Sequence, residues 1–248
     1  MAAENPIIIP KGLPQLCEEI KKTVPKELGD DAWYLLLAAI LIHAPTTTHL
    51  AGLYSHLAST AEFSTAEAQT ELSRRLRDVL LKEVTLIGAP QYLITDPEAT
   101  KARGVATINT IYGPSLLPDI FASFGSHSAD IQYMELFTVY GIYLSDYALI
   151  SPIQTEMIVF VSILTTGLRG PGLWHTRAMG RMFGARGTDE STEKMAKIKN
   201  LVRQVKLAAI TAVEWCGPEY VARSKLDKGW PNVGDVLREL GGWGDDDL

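Results

Sequence analysis

Apolar residues recur three and four positions apart through most of the chain, the period of helices that each bury one face. No stretch alternates apolar and polar residues between hairpin turns, so the pattern predicts an all-α fold. Helices are expected near 14–22, 30–43, 47–59, 65–87, 98–111, 116–123, 128–147, 152–166, 172–183, 189–215 and 232–240. Several ends have a chemical cause. In "SPIQ", Ser151 is placed to cap a helix that Pro152 opens, with Gln154 reaching back. "STAE" offers the same capping box through Ser64 and Glu67. "GAPQY" after Ile87 and "GPEY" after Cys216 stop the long helices with glycine and proline. The glycine-rich, acidic end "GGWGDDDL" is expected to fray.

The run "AWYLLLAAILIHA" (Ala32 to Ala44) is apolar all round. Its 13 residues fall short of the roughly 20 that span a bilayer, so it reads as a helix buried in protein. Composition agrees with a globular chain: 248 residues, 46% hydrophobic and 21% charged. A net charge of −6 without basic runs argues against nucleic acid and anionic membrane as partners. Two cysteines, Cys17 and Cys216, make no disulfide framework, and the start "MAAENPIIIPKGLP" lacks a basic leader, so a cytoplasmic setting is expected.

The chain also repeats itself. "LIGAPQYL" (Leu86 to Leu93) resembles "EWCGPEYV" (Glu214 to Val221), pairing Pro90 with Pro218 and Tyr92 with Tyr220. His49 and His175 precede those prolines by 41 and 43 residues, and each follows an acidic residue, Asp30 or Glu156, by 19. Each half thus reads as an acid, an apolar helix, a turn, a histidine on a short helix and a long amphipathic helix. Residues 1–112 form a first, degenerate repeat, 113–240 a second, and 241–248 a flexible tail.

This unit resembles the carboxymuconolactone decarboxylase and AhpD-like superfamily. The resemblance is strongest from "IYGPSLLPDIF" through "ELFTVYGIYLSDYALISPIQTEMIVFVSILTTGLRGPGLWHTRAMGRMFGA". It implies two tandem all-α repeats packed as a pseudo-two-fold pair. The AhpD-like branch works through a Cys-x-x-Cys pair ahead of the histidine. The matching positions here hold Leu168 and Pro171, and Ile42 and Pro45 in the first half. A thiol peroxidase is therefore not expected, because that chemistry needs an attacking thiolate and a resolving thiol. The decarboxylase branch, which uses no cysteine there, implies cofactor-free acid/base decarboxylation of a small carbonyl or lactone carboxylic acid. A different acid/base reaction, isomerisation or cyclisation of an aromatic or polyketide-like secondary metabolite, stays open. So does a non-catalytic scaffold of the same fold.

His175 and Glu156 are the catalytic candidates. His175 suits a general acid/base by its ordinary pKa near 6.5; the alternative is a helix-start residue with a satisfied hydrogen bond. The helix from 156 to 166 is roughly 16 Å long, so the pair meets only if the next helix doubles back or another subunit supplies one partner. Arg169 and Arg177 flank the histidine, and Arg169, in "GLRGPG", is placed to hold a carboxylate by two bonds. Tyr133, Phe137, Tyr140, Tyr143 and Tyr147 recur three and four apart as a helical stripe that reads first as core, from which Tyr140 or Tyr143 could offer a hydroxyl to a ligand; Trp174 is a pocket-wall or core candidate. His49 with Asp30 is the fallback site. The spacing of His43, His49 and His56 fits no metal-binding helix, so neither metal nor other cofactor is expected. A small-molecule substrate and a homo-oligomer, most simply a trimer that hides helix 30–43, complete the expectation.

Overall fold

A computed structural model describes residues 9–46, 48–87 and 97–245. The described chain is 77% helical, with no strand among those residues. In order the helices are α1 (Leu13–Thr23), α2 (Ala32–Leu41), α3 (Thr48–Ala58), α4 (Ala66–Ile87), α5 (Pro97–Ala122) and α6 (Ser128–Tyr133). A π-helix (Met134–Leu144) continues α6, and α7 (Pro152–Thr165), α8 (Arg169–Met182), α9 (Glu193–Trp215), α10 (Pro218–Arg223) and α11 (Val233–Leu240) follow. None is long and apolar enough to cross a membrane.

Two helices without a polar face form the centre. Every residue of α2 is buried, and so is α7 from Gln154 to Thr165. They pack side by side, with α4 against α7 and α9 against α2 in reciprocal fashion. The apolar surface of α2 is thus covered within its own chain, not by a neighbouring subunit. Ser151 and Gln154 cap α7 as expected, and Pro152 stands in its first turn. At α4 the cap moves by one residue. Thr65 Oγ1 accepts from the Ala68 amide at 3.1 Å, while the Ser64 hydroxyl donates to the Ala61 carbonyl.

Other departures have local causes. The two helices expected at 98–111 and 116–123 are halves of α5, bent where Gly113 adopts a φ of 77°. Pro114, which has no N–H to give, opens the second half. The helix expected from 189 starts at Glu193 because Thr192 caps it. Past the "GPEY" stop the chain re-enters a helix, α10, whose buried Tyr220 donates to the Ile40 carbonyl at 2.9 Å. Its counterparts Pro90 and Tyr92 lie outside the described residues. Within the described part of the tail, 241–245, Trp243 is held in place. Trp243 is buried against Gly180, donates to Glu190 at 2.8 Å, and its carbonyl accepts from Arg181.

Candidate active site

Glu156 lies early on α7 and His175 midway along α8. The "GLRGPG" stretch is only partly a turn. Gly167, at a φ of 72°, reverses the chain, Leu168 precedes the helix, and α8 begins at Arg169. This early start sends α8 back along α7. His175 Nδ1 then meets Glu156 Oε1 at 2.8 Å within one chain, with both side chains buried. The condition set by helix length is met by doubling back.

The other imidazole nitrogen, Nε2, lies 2.9 Å from the Tyr112 hydroxyl, and that oxygen lies 3.0 Å from the Tyr140 hydroxyl. Tyr112 is the last residue before the Gly113 bend, and Tyr140 comes from the π-helix. Four buried groups from four helices form one hydrogen-bonded line: Glu156, His175, Tyr112, Tyr140. The Tyr112 ring also stands edge-on to His175 and to Trp174, with centroids 5.5 and 6.4 Å away.

The line has two self-consistent polarities. With Glu156 ionised, His175 Nδ1–H donates to it, Nε2 accepts from Tyr112, and Tyr112 accepts from Tyr140. With Glu156 protonated every bond reverses, and the Tyr140 hydroxyl is left to donate beyond the line. Burial pushes the Glu156 carboxyl up from its ordinary value, with His175 pulling the other way, so the protonated form is within reach. Burial also pushes the Tyr112 and Tyr140 hydroxyls up, which disfavours free tyrosinate.

Tyr140, Tyr112 and His175 border a cavity of about 520 Å³. Its walls are apolar and aromatic, including Phe121, Tyr143, Ile163 and Trp174, and exposed Phe124, Met134 and Leu168 stand at its edge. Among the described residues no lysine or arginine lines it, and the one carboxylate that does is Glu135. Burial pushes Glu135 up from its ordinary value. On the other side, Glu156 borders a smaller cavity of about 310 Å³, and its Oε2 has no hydrogen-bond partner.

Trp174, Tyr140 and Tyr143 thus stand at the His175 cavity, and Arg169 and Arg177 do not. Arg169 is exposed and held by Glu239 through two bonds of 2.7 Å, because α11 packs along α8. Arg177 is buried with its guanidinium toward Gly244 of the tail. The aromatic set is not one stripe. Tyr133 stacks on Phe137 at 5.5 Å, Tyr140 and Tyr143 turn inward, and Tyr147 leaves the helix to bond Thr107 at 3.0 Å.

The first-half pair does not assemble. Asp30 is exposed, and His49 lies against Trp215 at a centroid distance of 4.9 Å, its pKa lowered by burial. The first half instead joins His43 Nε2 to Glu83 Oε2 at 2.9 Å, with the Ser162 hydroxyl donating to Glu83 Oε1 at 2.5 Å. Sequence reasoning did not find Tyr112, Glu135 or this His43–Glu83 pair as site residues. The Tyr-Gly-Pro of "IYGPSLLP" was the available signal for Tyr112, since a bend fixes the residue before it. Among the described residues no group of three potential ligands could hold a metal ion.

No family model matches this chain, and no curated protein or solved structure is similar enough to count as a match.

Proposed function

We propose that the chain is an acid/base enzyme acting on an uncharged, apolar carbonyl compound, with Tyr140 as the group that meets the carbonyl oxygen. The observation that carries this reading is the buried line from Glu156 to Tyr140, ending at an apolar cavity without a cation. His175 spends both ring nitrogens inside the line, so it acts through Tyr112 and Tyr140. When the carbonyl compound becomes an enolate, its oxygen takes a hydrogen bond, and then a proton, from Tyr140. Tyr112, His175 and Glu156 each pass one proton along to refill the position. A preformed donor in a water-poor site stabilises such an oxyanion far better than bulk water does.

The motif resemblance, taken alone, implies decarboxylation of a carbonyl acid anchored by Arg169. Glu239 occupies that guanidinium, and a carboxylate in the cavity would meet Glu135 with no cation to offset it. The isomerase-type alternative is the better fit. The ordered motifs and the reciprocal packing of α4 on α7 and α9 on α2 support a duplicated unit of the decarboxylase-like type. A thiol route is disfavoured on chemical grounds: burial pushes Cys17 and Cys216 up to about 12, which keeps both as thiols.

The test uses β-tetralone, a neutral bicyclic ketone with acidic α-hydrogens. Wild-type protein in deuterated buffer is expected to accelerate exchange of those hydrogens, followed by proton NMR. Tyr140→Phe and His175→Gln should each lower the protein-dependent rate by roughly 10²–10³-fold, the cost of losing one oxyanion donor. Exchange no faster than in buffer, or variants as fast as wild type, would overturn the reading in favour of a binding or scaffold role.

A further inference from the structure

The enolisation assigned above needs a group to take the carbon-bound proton, and the Tyr140 line supplies only the oxygen side. We propose that Glu135 is this base, which makes the substrates enolisable apolar ketones whose double bond shifts by removal and return of one proton. The inference rests on the preceding reading of the cavity.

The case begins with the π-helix. In a π-helix the backbone bonds run from residue i to i+5, so residues five apart stack on the same side. Glu135 and Tyr140 are five apart within Met134–Leu144, and both line the cavity. In an α-helix, at 3.6 residues per turn, the same pair would diverge by well over a quarter turn. The wide turn thus places a carboxylate and a hydroxyl on one wall. Such turns concentrate at functional sites.

Glu135 is also uncommitted. Neither a hydrogen bond nor an ion pair holds it among the described residues, whereas Glu156 and Glu83 are both bonded. It is partly buried on an apolar wall, which disfavours its ionised form. A carboxylate in such surroundings is a stronger base than one in water.

The step balances with no further reactant. The Glu135 carboxylate takes a proton from the carbon next to the carbonyl. The C–H electron pair moves into the carbon–carbon–oxygen framework, and the enolate oxygen is held by Tyr140. Glu135 then returns its proton, either to the same carbon or to the far end of a conjugated dienolate. The first outcome is exchange and the second is isomerisation. A carboxylate base facing a buried acidic donor is an established way to run this chemistry at neutral pH.

Three proteins decide it: wild type, Glu135→Gln and Glu135→Ala, each assayed for β-tetralone exchange and for affinity by β-naphthol fluorescence. β-Naphthol has the shape of the enol. Glu135→Gln should lower exchange by roughly 10²–10⁴-fold while binding β-naphthol within a few-fold of wild type. Glu135→Ala should be as slow, and added formate should restore part of its rate, since a small carboxylate can fill the gap. If Glu135→Gln exchanges like wild type while Tyr140→Phe does not, Glu135 is not the base and the preceding reading survives. If wild type itself gives no exchange, both fall. Should Glu135→Gln fail to fold, the alanine variant carries the test: a slow rate that formate leaves unchanged would also overturn the assignment.

Discussion

A histidine whose two ring nitrogens are both bonded has neither left to bond a ligand. In the proposed reaction His175 acts through Tyr112 and Tyr140, so its replacement should act on rate more than on binding. Arg169 is the matching control. It is exposed and paired with Glu239, so Arg169→Ala should leave β-tetralone exchange and β-naphthol affinity near wild type, with no resolvable change in melting temperature. A rate loss comparable to that of Tyr140→Phe would return the arginine to the site. At this scale the sequence was informative where spacing decides the outcome. The 19-residue interval identified Glu156 and His175 because two antiparallel helices joined by a short turn bring such positions together. The same interval misled at Asp30 and His49. Asp31, one residue on, is the acid that is engaged there, by Arg75 and Gln154. The bend after Tyr112 was legible but its partner was not, because its hydroxyl reaches His175 across 63 residues of chain and only the fold supplies that contact.

Between α5 and the π-helix the crossing is close enough to require glycine on both sides. A Cβ on Gly104 would stand 1.9 Å from the Leu136 carbonyl oxygen, and one on Gly141 would stand 2.8 Å from that of Thr100. The two elements also carry Tyr112 and Tyr140, so their spacing sets the relay. Gly104→Ala should cost about 1–3 kcal/mol through forced separation and weaken β-naphthol binding as Tyr140 shifts. Urea denaturation and the same titration check both, and a stable variant with unchanged affinity would show that the crossing tolerates separation. Helix existence was readable from periodicity throughout this region, but helix type was not. A π-turn leaves little mark on an apolar pattern, and the predicted stripe from Tyr133 to Tyr147 therefore broke into three environments. The Gly113 bend was readable only as a gap between two helices.

At the scale of the whole molecule, the buried carboxyls of Glu83, beside His43 and Ser162, and Glu156, beside His175, share one consequence. Burial raises both above the ordinary carboxyl range, so the folded chain keeps protons that the unfolded chain has already released. Stability should then fall as pH rises from about 4.3, the ordinary glutamate value, through the raised folded values. Glu83→Gln, which keeps the shape but cannot ionise, should flatten that decline. Urea midpoints measured from mildly acidic to mildly alkaline pH would show it, and equal slopes for both proteins would contradict the assignment.

Reciprocal packing of α4 on α7 and α9 on α2 surrounds the central helix pair. The second half places α8 against α7 and α5 and so encloses a cavity beside His175. What the cavity admits is the central question. The most direct measurement is a fluorescence titration of the wild-type protein with β-naphthol and β-naphthoate at neutral pH. The two share one ring system and differ in charge. With no lysine or arginine among the described wall residues and Glu135 among them, β-naphthol should bind, and β-naphthoate should bind at least about tenfold more weakly. Equal or tighter binding of β-naphthoate would contradict the account and point back to a carboxylate substrate.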